Sequence, residues 1–261
     1  MFEGGALSDE IFSRVVRFNR PAVEDIHTDY VSSLSLETWC DADGLFAHAE
    51  MSKYLLTVTN DPAPGAFYNS FLIAQQRLAL LEGQELVRLS LLVGLTLYSD
   101  RVCRVVTQRQ VAELTELLGR ETLLSTHREL RFLKGKSSEL IKKGSALWEV
   151  TQMLPPSDDE QYIEVLWDVV RAVGIGVVTF FLRMHTDDVL HRIAIKLPAF
   201  WSEGVGNNHD GPQADVAQRF AEMMRYAGRL ELSEHQARLC WGMLSRIMKQ
   251  EMNHIWQNLF A

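Results

Sequence analysis

The chain of 261 residues is long enough to bury the core of one large domain or of two small ones. Hydrophobic residues make up 47% and charged residues 23% of it, which is a globular composition and excludes disorder of the whole chain. Its 34 acidic and 26 basic side chains give a net charge of -8, so long-range repulsion from phosphates disfavours general nucleic-acid binding.

Apolar residues recur with the 3.6-residue period of an α-helix along most of the chain, which predicts an all-α protein. Residues 67–83 form a predicted helix that closes on a glycine. Residues 84–98 are apolar on nearly all sides and predict a central helix. Two short amphipathic helices are predicted within residues 99–119, because Thr107 and Gln110 have the spacing of a capping box.

Residues 165–184 are apolar enough to require a test for a membrane span. Asp168 and Arg171 interrupt them, and the continuous apolar run is about half of the ~20 residues that a span needs. We therefore predict a buried helix of a soluble protein. The glycine pair in its GIGVVT stretch lacks the preceding strand and third glycine of a dinucleotide loop, which favours close helix packing instead.

Two further capping boxes, Ser157 with Glu160 and Ser233 with Gln236, predict the starts of later helices. Residues 189–201 break the pattern, because isoleucine and leucine alternate there before a proline, as in an extended segment. The predicted fold class is therefore all-α, a mostly helical single domain with at most a short extended or strand segment near residues 190–198. The domain covers residues 1–261, and a helical extension over residues 213–261 is left open.

The three cysteines, Cys40, Cys103 and Cys240, are far apart in the sequence and have apolar or aromatic neighbours. This pattern is typical of buried thiols in a reducing compartment, and neither a disulfide framework nor a zinc site is predicted. The N-terminal residues 1–12 have no basic region followed by an apolar core, so no signal peptide is expected.

Two Glu-x-x-His spacings, Glu24 with His27 and Glu251 with His254, place two potential ligands on one helical face, as in di-iron helical bundles. The additional glutamates that such a site needs are missing from the apolar helix faces, so no metal site is predicted. A helical metal-binding enzyme remains the alternative hypothesis.

Acidic groups at residues 158–160 and at Asp187 and Asp188 have the residue types of a magnesium site. Acidic side chains also suit the positive end of a helix dipole, and the first group precedes a predicted helix, which favours capping. The nucleophile signatures of serine and cysteine enzymes are absent from the sequence. No catalytic or cofactor-binding residue is therefore predicted.

Six basic residues are clustered against only Glu129 and Glu139. They are Arg128, Arg131, Lys134, Lys136, Lys142 and Lys143. Such a run is typical of a solvated face, but it also suits a docking surface for an acidic protein partner. A nucleic-acid site would need interleaved aromatic residues, and Phe132 is the single aromatic residue within the run.

Three stretches resemble the SctK family of type III secretion systems, also called the YscK or PscK family. Residues 92–123, LVGLTLYSDRVCRVVTQRQVAELTELLGRETL, resemble its central block of an apolar helix, an arginine-rich turn and a helix ending in Leu-Gly. Residues 192–198, RIAIKLP, resemble its late motif, and residues 18–27, FNRPAVEDIH, resemble its early segment. The resemblance covers roughly residues 12–201.

The resemblance implies a mostly helical, cytoplasmic protein of the sorting platform beneath the injectisome, without catalysis or a cofactor. Such a protein links the cytoplasmic domain of the inner-membrane ring protein SctD to the pod built of SctQ, with SctL and the ATPase SctN further in. Membrane contact is then indirect, through the ring protein. A secretion chaperone or regulatory binding module is the remaining alternative.

Overall fold

The computed structural model describes residues 9–31, 45–145, 147–199, 201 and 214–260. All regular secondary structure in these ranges is helical, and they contain no strand, which confirms the predicted all-α fold. The α-helices are α1 (Asp9–Asn19), α2 (Thr28–Val31), α3 (Leu45–Val58), α4 (Gly83–Val102), α5 (Gln108–Leu118), α6 (Arg120–Ser125), α7 (Arg131–Leu133), α8 (Trp148–Gln152), α9 (Tyr162–Leu182), α10 (Asp187–Ala194), α11 (Ala214–Gly228), α12 (Glu234–Glu251) and α13 (Asn253–Leu259). Three 3-10 helices (Val23–Asp25, Gln76–Leu80, Gly135–Ile141) and one π-helix (Thr126–Leu130) accompany them.

The described residues form two compact units. The first unit takes its residues from Met1–Leu86, Phe181–Glu203 and His254–Ala261, and the second from Val87–Phe180 and Gly204–Asn253. Most of the segment after residue 213 therefore belongs to the second unit. The division into one domain with a C-terminal extension remains a prediction.

Close backbone contact between α4 and α9 forms the centre of the second unit. A Cβ atom added at Gly94 would lie 2.0 Å from the carbonyl oxygen of Val170, and one at Gly174 would lie 1.9 Å from that of Ser90. The close packing predicted for the GIGVVT stretch is thus confirmed. Helix α9 is long and apolar enough to cross a membrane, but 78% of its apolar window is buried inside the protein, as in the core helix of a globular protein.

Two of the three predicted cap residues begin helices at the expected positions, and the complete capping box forms at Ser233 with Gln236. The hydroxyls of Thr107 and Ser233 accept hydrogen bonds from the backbone N–H groups three residues on, at the starts of α5 and α12. The box predicted at Ser157 is wrong, because α9 begins only at Tyr162. Before that start, the Asp159 carboxylate accepts the N–H of Gln161 at 2.8 Å and closes a local turn.

The helix predicted over residues 67–83 is wrong except for the single 3-10 turn Gln76–Leu80. The side-chain amide of Asn19 bonds to both the N–H and the carbonyl of Tyr68, which satisfies that backbone in an extended conformation. Arg77 donates to the carbonyls of Phe71 and Leu72 in the same way. Side-chain hydrogen bonds from Asn19 of α1 and from Arg77 of the segment itself therefore replace the helical hydrogen bonds here.

The extended segment predicted over residues 189–201 is also wrong, because α10 occupies Asp187–Ala194 and the described residues after it form turns and no strand. Val189, Ile193 and Leu197 are all buried and recur every four residues. This is a helical period, and the shorter alternation around Ile195 concealed it in the sequence. The burial of Arg192 on the same helix further explains why the sequence pattern was ambiguous.

His185 in the first unit makes the stability of the protein sensitive to mild acid. Its Nε2 atom lies 3.0 Å from the carbonyl oxygen of Gln76, and its ring packs against Phe71 at 5.8 Å. Burial lowers the pKa of His185, so the unfolded chain binds a proton at this residue more readily than the folded protein does. Stability from this group is therefore present above pH ~6.5, the ordinary histidine pKa, and is lost as the pH falls.

We expect the melting temperature to fall between pH 7.5 and pH 5.5, and to fall less in the His185→Gln variant, which keeps an N–H donor but has no proton to gain. Thermal unfolding followed by circular dichroism at several pH values measures this difference. Equal losses in the variant and the natural protein would show that other groups cause the acid sensitivity.

Candidate docking surface

The predicted basic cluster lies on consecutive short helical turns of the second unit, from the π-helix Thr126–Leu130 to the two residues that follow the 3-10 helix Gly135–Ile141. Five of the six predicted side chains are exposed: Arg128, Arg131, Lys136, Lys142 and Lys143. Lys134 differs, because its side chain is only 14% exposed and its ammonium pairs with Asp100 at 2.5 Å. Lys134 therefore holds α7 to the end of α4.

The π-helix gives this segment its wide turn. Thr126 and Leu130 are buried at its two ends, and the Thr126 hydroxyl donates to the carbonyl of Thr122 at 2.8 Å. The turn thus keeps both residues in the core while Arg128 between them stays exposed. A π-helix is a rare and less favourable turn that occurs often at functional sites, which singles this segment out from the other helices.

An exposed aromatic ring accompanies the cations. Phe132 is 66% exposed, so its ring would gain burial energy if a partner covered it. The guanidinium carbon of Arg131 lies 4.5 Å from the centroid of this ring. This stacking favours an orientation of the Arg131 guanidinium beside the aromatic ring.

A further cation, Arg246 of α12, reaches this segment and was not predicted. Its Nε donates to the carbonyl oxygen of Leu133 at 2.9 Å. Its Nη2 atom lies 3.2 Å from the position of a Cβ at Gly135, so the guanidinium runs alongside the turn after α7. No local signal could have shown this contact, because 113 residues separate Arg246 from Leu133.

The exposed cations lack acidic partners within the part of the chain that the structure describes. Arg128, Arg131, Lys136 and Arg246 form no ion pair there. The nearby Glu129 accepts a hydrogen bond from the side-chain amide of Gln250 at 3.0 Å instead. These cations therefore lack ion-pair partners in the described part of a chain whose net charge is -8.

The cysteine thiols are not activated by these cations. Burial raises the pKa of the Cys103 thiol, although the nearby Arg131 and Lys134 charges oppose the shift. Cys240 is fully buried, and burial raises the pKa of its thiol to about 12. Both groups therefore stay protonated and unreactive near neutral pH, while Cys40 lies outside the described residues.

The two Glu-x-x-His pairs occupy different surroundings. Glu24 belongs to a three-residue 3-10 helix, and His27 follows that helix and accepts the N–H of Asp29. Glu251 accepts the Ser125 hydroxyl at 3.2 Å, and its pKa is raised chiefly by burial and further by the charge of Glu129. Among the residues the structure describes, no three His, Cys, Asp or Glu side chains form a group that could hold a metal ion.

The acidic groups considered for magnesium lie at helix starts. Asp187 and Asp188 occupy the first turn of α10. Asp159 closes the turn before α9, as described above. These positions are those in which carboxylates stabilise the helix dipole.

The fold and this surface together define an all-α protein with an exposed basic and aromatic surface. The chain belongs to the family described as YOP proteins translocation protein K (YscK), whose family model matches residues 16–254. No curated protein and no solved structure matches the chain. The resemblance to the SctK family is thus confirmed, and it extends beyond residue 201 into α11 and α12.

Membership of this family makes the chain a type III secretion protein that acts in protein transport. The family is a component of the secretion apparatus and is not a known enzyme family. Its partners are expected among the other components of that apparatus.

Proposed function

We propose that this chain is a non-enzymatic structural adaptor of the cytoplasmic sorting platform of a type III secretion system. It links the cytoplasmic domain of an SctD-like inner-membrane ring protein to the SctQ-like protein of the pods. Family membership over residues 16–254 supports the secretion role. The adaptor role is supported chiefly by the cations near Phe132 that form no ion pair with a described residue, because an unpaired charged surface gains most when a partner of opposite charge covers it.

The interior of the second unit suits an adaptor that must hold its surfaces in fixed positions. Helices α4 and α9 approach so closely that neither Gly94 nor Gly174 has space for a Cβ atom. Arg219 of α11 pairs with Glu164 and Asp168 of α9 at 2.8 and 3.0 Å, which holds the helix after residue 213 against the core. Such packing leaves little freedom for the helices to shift when a partner binds.

The docking residues in this proposal are Arg128, Arg131, Lys134, Lys136, Lys142 and Lys143. Lys134 contributes through its ion pair with Asp100, which supports the turn, and the other five contribute exposed charge. Their charge steers an acidic partner during encounter and fixes its orientation. The protein acts at the cytoplasmic face of the inner membrane and contacts the membrane only through the ring protein.

We expect the purified chain to bind the SctQ-like protein and the SctD-like cytoplasmic domain encoded in the same secretion gene cluster. Calorimetry or biolayer interferometry at ~0.15 M salt measures both affinities, and deletion of the gene should abolish secretion. If the chain binds neither component and secretion survives the deletion, the adaptor function is wrong. Co-purification dominated by effectors or transcription factors would instead support the chaperone alternative.

A further inference from the structure

We infer that the surface formed by Arg128, Arg131, Phe132, Lys136 and Arg246, called here the basic-aromatic surface, binds an acidic helix of a partner protein. The partner helix presents carboxylates about one turn apart and places one apolar side chain on Phe132. This inference rests on the proposed function in one respect, namely that the partner is a component of the secretion apparatus.

Charge and its pattern favour a polypeptide over a membrane or a nucleic acid. The net charge of -8 repels a uniformly anionic membrane or phosphate backbone at long range. Glu129 stands beside Arg128 and is held in place by Gln250 at 3.0 Å, so negative charge is fixed among the cations. A partner must therefore match alternating charges, which individually placed side chains can do and a continuous anionic surface cannot.

The cations of this surface are oriented before a partner arrives. Arg131 stacks on Phe132 at 4.5 Å, and the Nε of Arg246 is bound to the Leu133 carbonyl at 2.9 Å. The Nη groups of Arg246 form no hydrogen bond with a described residue. A guanidinium held in this way can bind a carboxylate with two parallel hydrogen bonds and loses little side-chain entropy in doing so.

Spacing favours a helical occupant. Carboxylates three or four residues apart on one helix face lie about 5–6 Å from each other, so one helix can offer separate carboxylates to the neighbouring turns that carry Arg128 and Arg131. An apolar residue on the same face of the partner helix would cover the ring of Phe132, which is 66% exposed to solvent in the unbound protein. An exposed aromatic ring beside exposed cations has the composition of an interface hot spot with a charged rim.

Photocrosslinking in cells that carry the whole secretion gene cluster tests this inference. The photoreactive amino acid p-benzoylphenylalanine replaces Phe132, and a second protein carries it in place of the exposed Leu117 of α5 as a control. We expect a crosslink from position 132 to one protein segment with at least two carboxylates within about one helical turn. Mass spectrometry of the crosslinked peptide identifies the segment and its composition.

Charge reversal supplies the second measurement. The double variant Arg128→Glu with Arg131→Glu should lower the crosslink yield at least ten-fold. The matched variant Arg225→Glu with Arg229→Glu makes the same charge change on two exposed residues, one in α11 and one directly after it, and should leave the yield unchanged. Lys134 is not used, because its ion pair with Asp100 makes any loss of binding hard to separate from a loss of folding.

The inference is overturned if position 132 crosslinks to lipid, to nucleic acid, to a segment without carboxylates or to nothing. It is also overturned if both charge reversals have the same effect on the yield. A crosslink to an acidic helix of a protein outside the secretion apparatus would keep the inference and contradict the proposed function. Normal binding of SctQ-like and SctD-like proteins by the Arg128 and Arg131 variant would keep the proposed function and contradict the inference.

Discussion

The Gly174→Ala substitution is expected to lower the free energy of unfolding by about 3 kcal/mol or more. The added Cβ would lie 1.9 Å from the carbonyl oxygen of Ser90, and a backbone atom on a core helix cannot move aside as a flexible side chain can. Helices α4 and α9 would have to separate, which also costs contacts of their buried neighbours. Gly94→Ala should have a similar effect, because its Cβ would lie 2.0 Å from the carbonyl oxygen of Val170.

Gly242→Ala is the matched control for these two substitutions. Gly242 lies inside α12 of the same unit, and its nearest neighbour, the Nη1 of Arg246, would be at an ordinary contact distance of 3.6 Å from the new Cβ. Because alanine has the higher helix propensity, this variant should be neutral or stabilised by up to about 1 kcal/mol. Urea unfolding measures the free energy of unfolding of the three variants. Equal values for all three would show that α4 and α9 are not in backbone contact.

Arg192→Met is expected to destabilise the first unit by about 3–5 kcal/mol, because it leaves the carboxylate of Asp61 buried without its counter-ion. The two side chains are 1% and 0% exposed, and the Nε of Arg192 lies 2.7 Å from Oδ2 of Asp61. Arg192 also donates to Asn19 and to the carbonyl of Ala63, and it stacks on the ring of Tyr68 at 4.6 Å. One substitution therefore releases the segment after α3 from α1 and α10.

The double variant Arg192→Met with Asp61→Asn removes both buried charges and should recover a large part of that loss. Asparagine can still accept the Ala63 N–H, which Oδ1 of Asp61 accepts at 2.7 Å, so the local turn is kept. The same arginine-to-methionine change at the exposed Arg109, which pairs with Glu113 on the surface of α5, should have little effect. A double variant as unstable as the single one would show that the packing of Arg192, and not its charge, holds this region.

These stability variants also help to interpret the binding experiments. Gly174 and Arg192 are buried, so their effects on partner binding should follow the loss of folded protein. Arg128 and Arg131 are exposed and form no ion pair with a described residue, so their reversal should leave the melting temperature nearly unchanged while binding falls. The two kinds of variant thus separate a structural effect from an effect on recognition.

Features that depend on a few neighbouring residues were predicted correctly from the sequence. The caps at Thr107 and Ser233 are local, because each hydroxyl binds an N–H three residues away. The all-α fold and the buried helix α4 followed from hydrophobic periodicity over whole helices. The basic cluster was visible because its residues are close together in the chain.

Features that depend on distant residues required the folded protein. Asn19 binds the backbone N–H and carbonyl of Tyr68, 49 residues away, so a segment with a helical pattern forms no helix around Tyr68. Asp100 pairs with Lys134 and removes it from the exposed cations, while Arg246 joins them from α12.

Hydrophobic periodicity and helix caps depend on interactions between residues only a few positions apart. Both can therefore be recognised directly in the sequence. Buried hydrogen bonds and ion pairs join residues that only the fold brings close, and each can outweigh a local preference of a few tenths of a kcal/mol. For this reason the sequence alone predicted the fold class and the positive charge of the basic-aromatic surface. Which residues form that surface, and where they lie, depended on contacts such as that of Arg246 with Leu133, which are 113 residues apart in the chain.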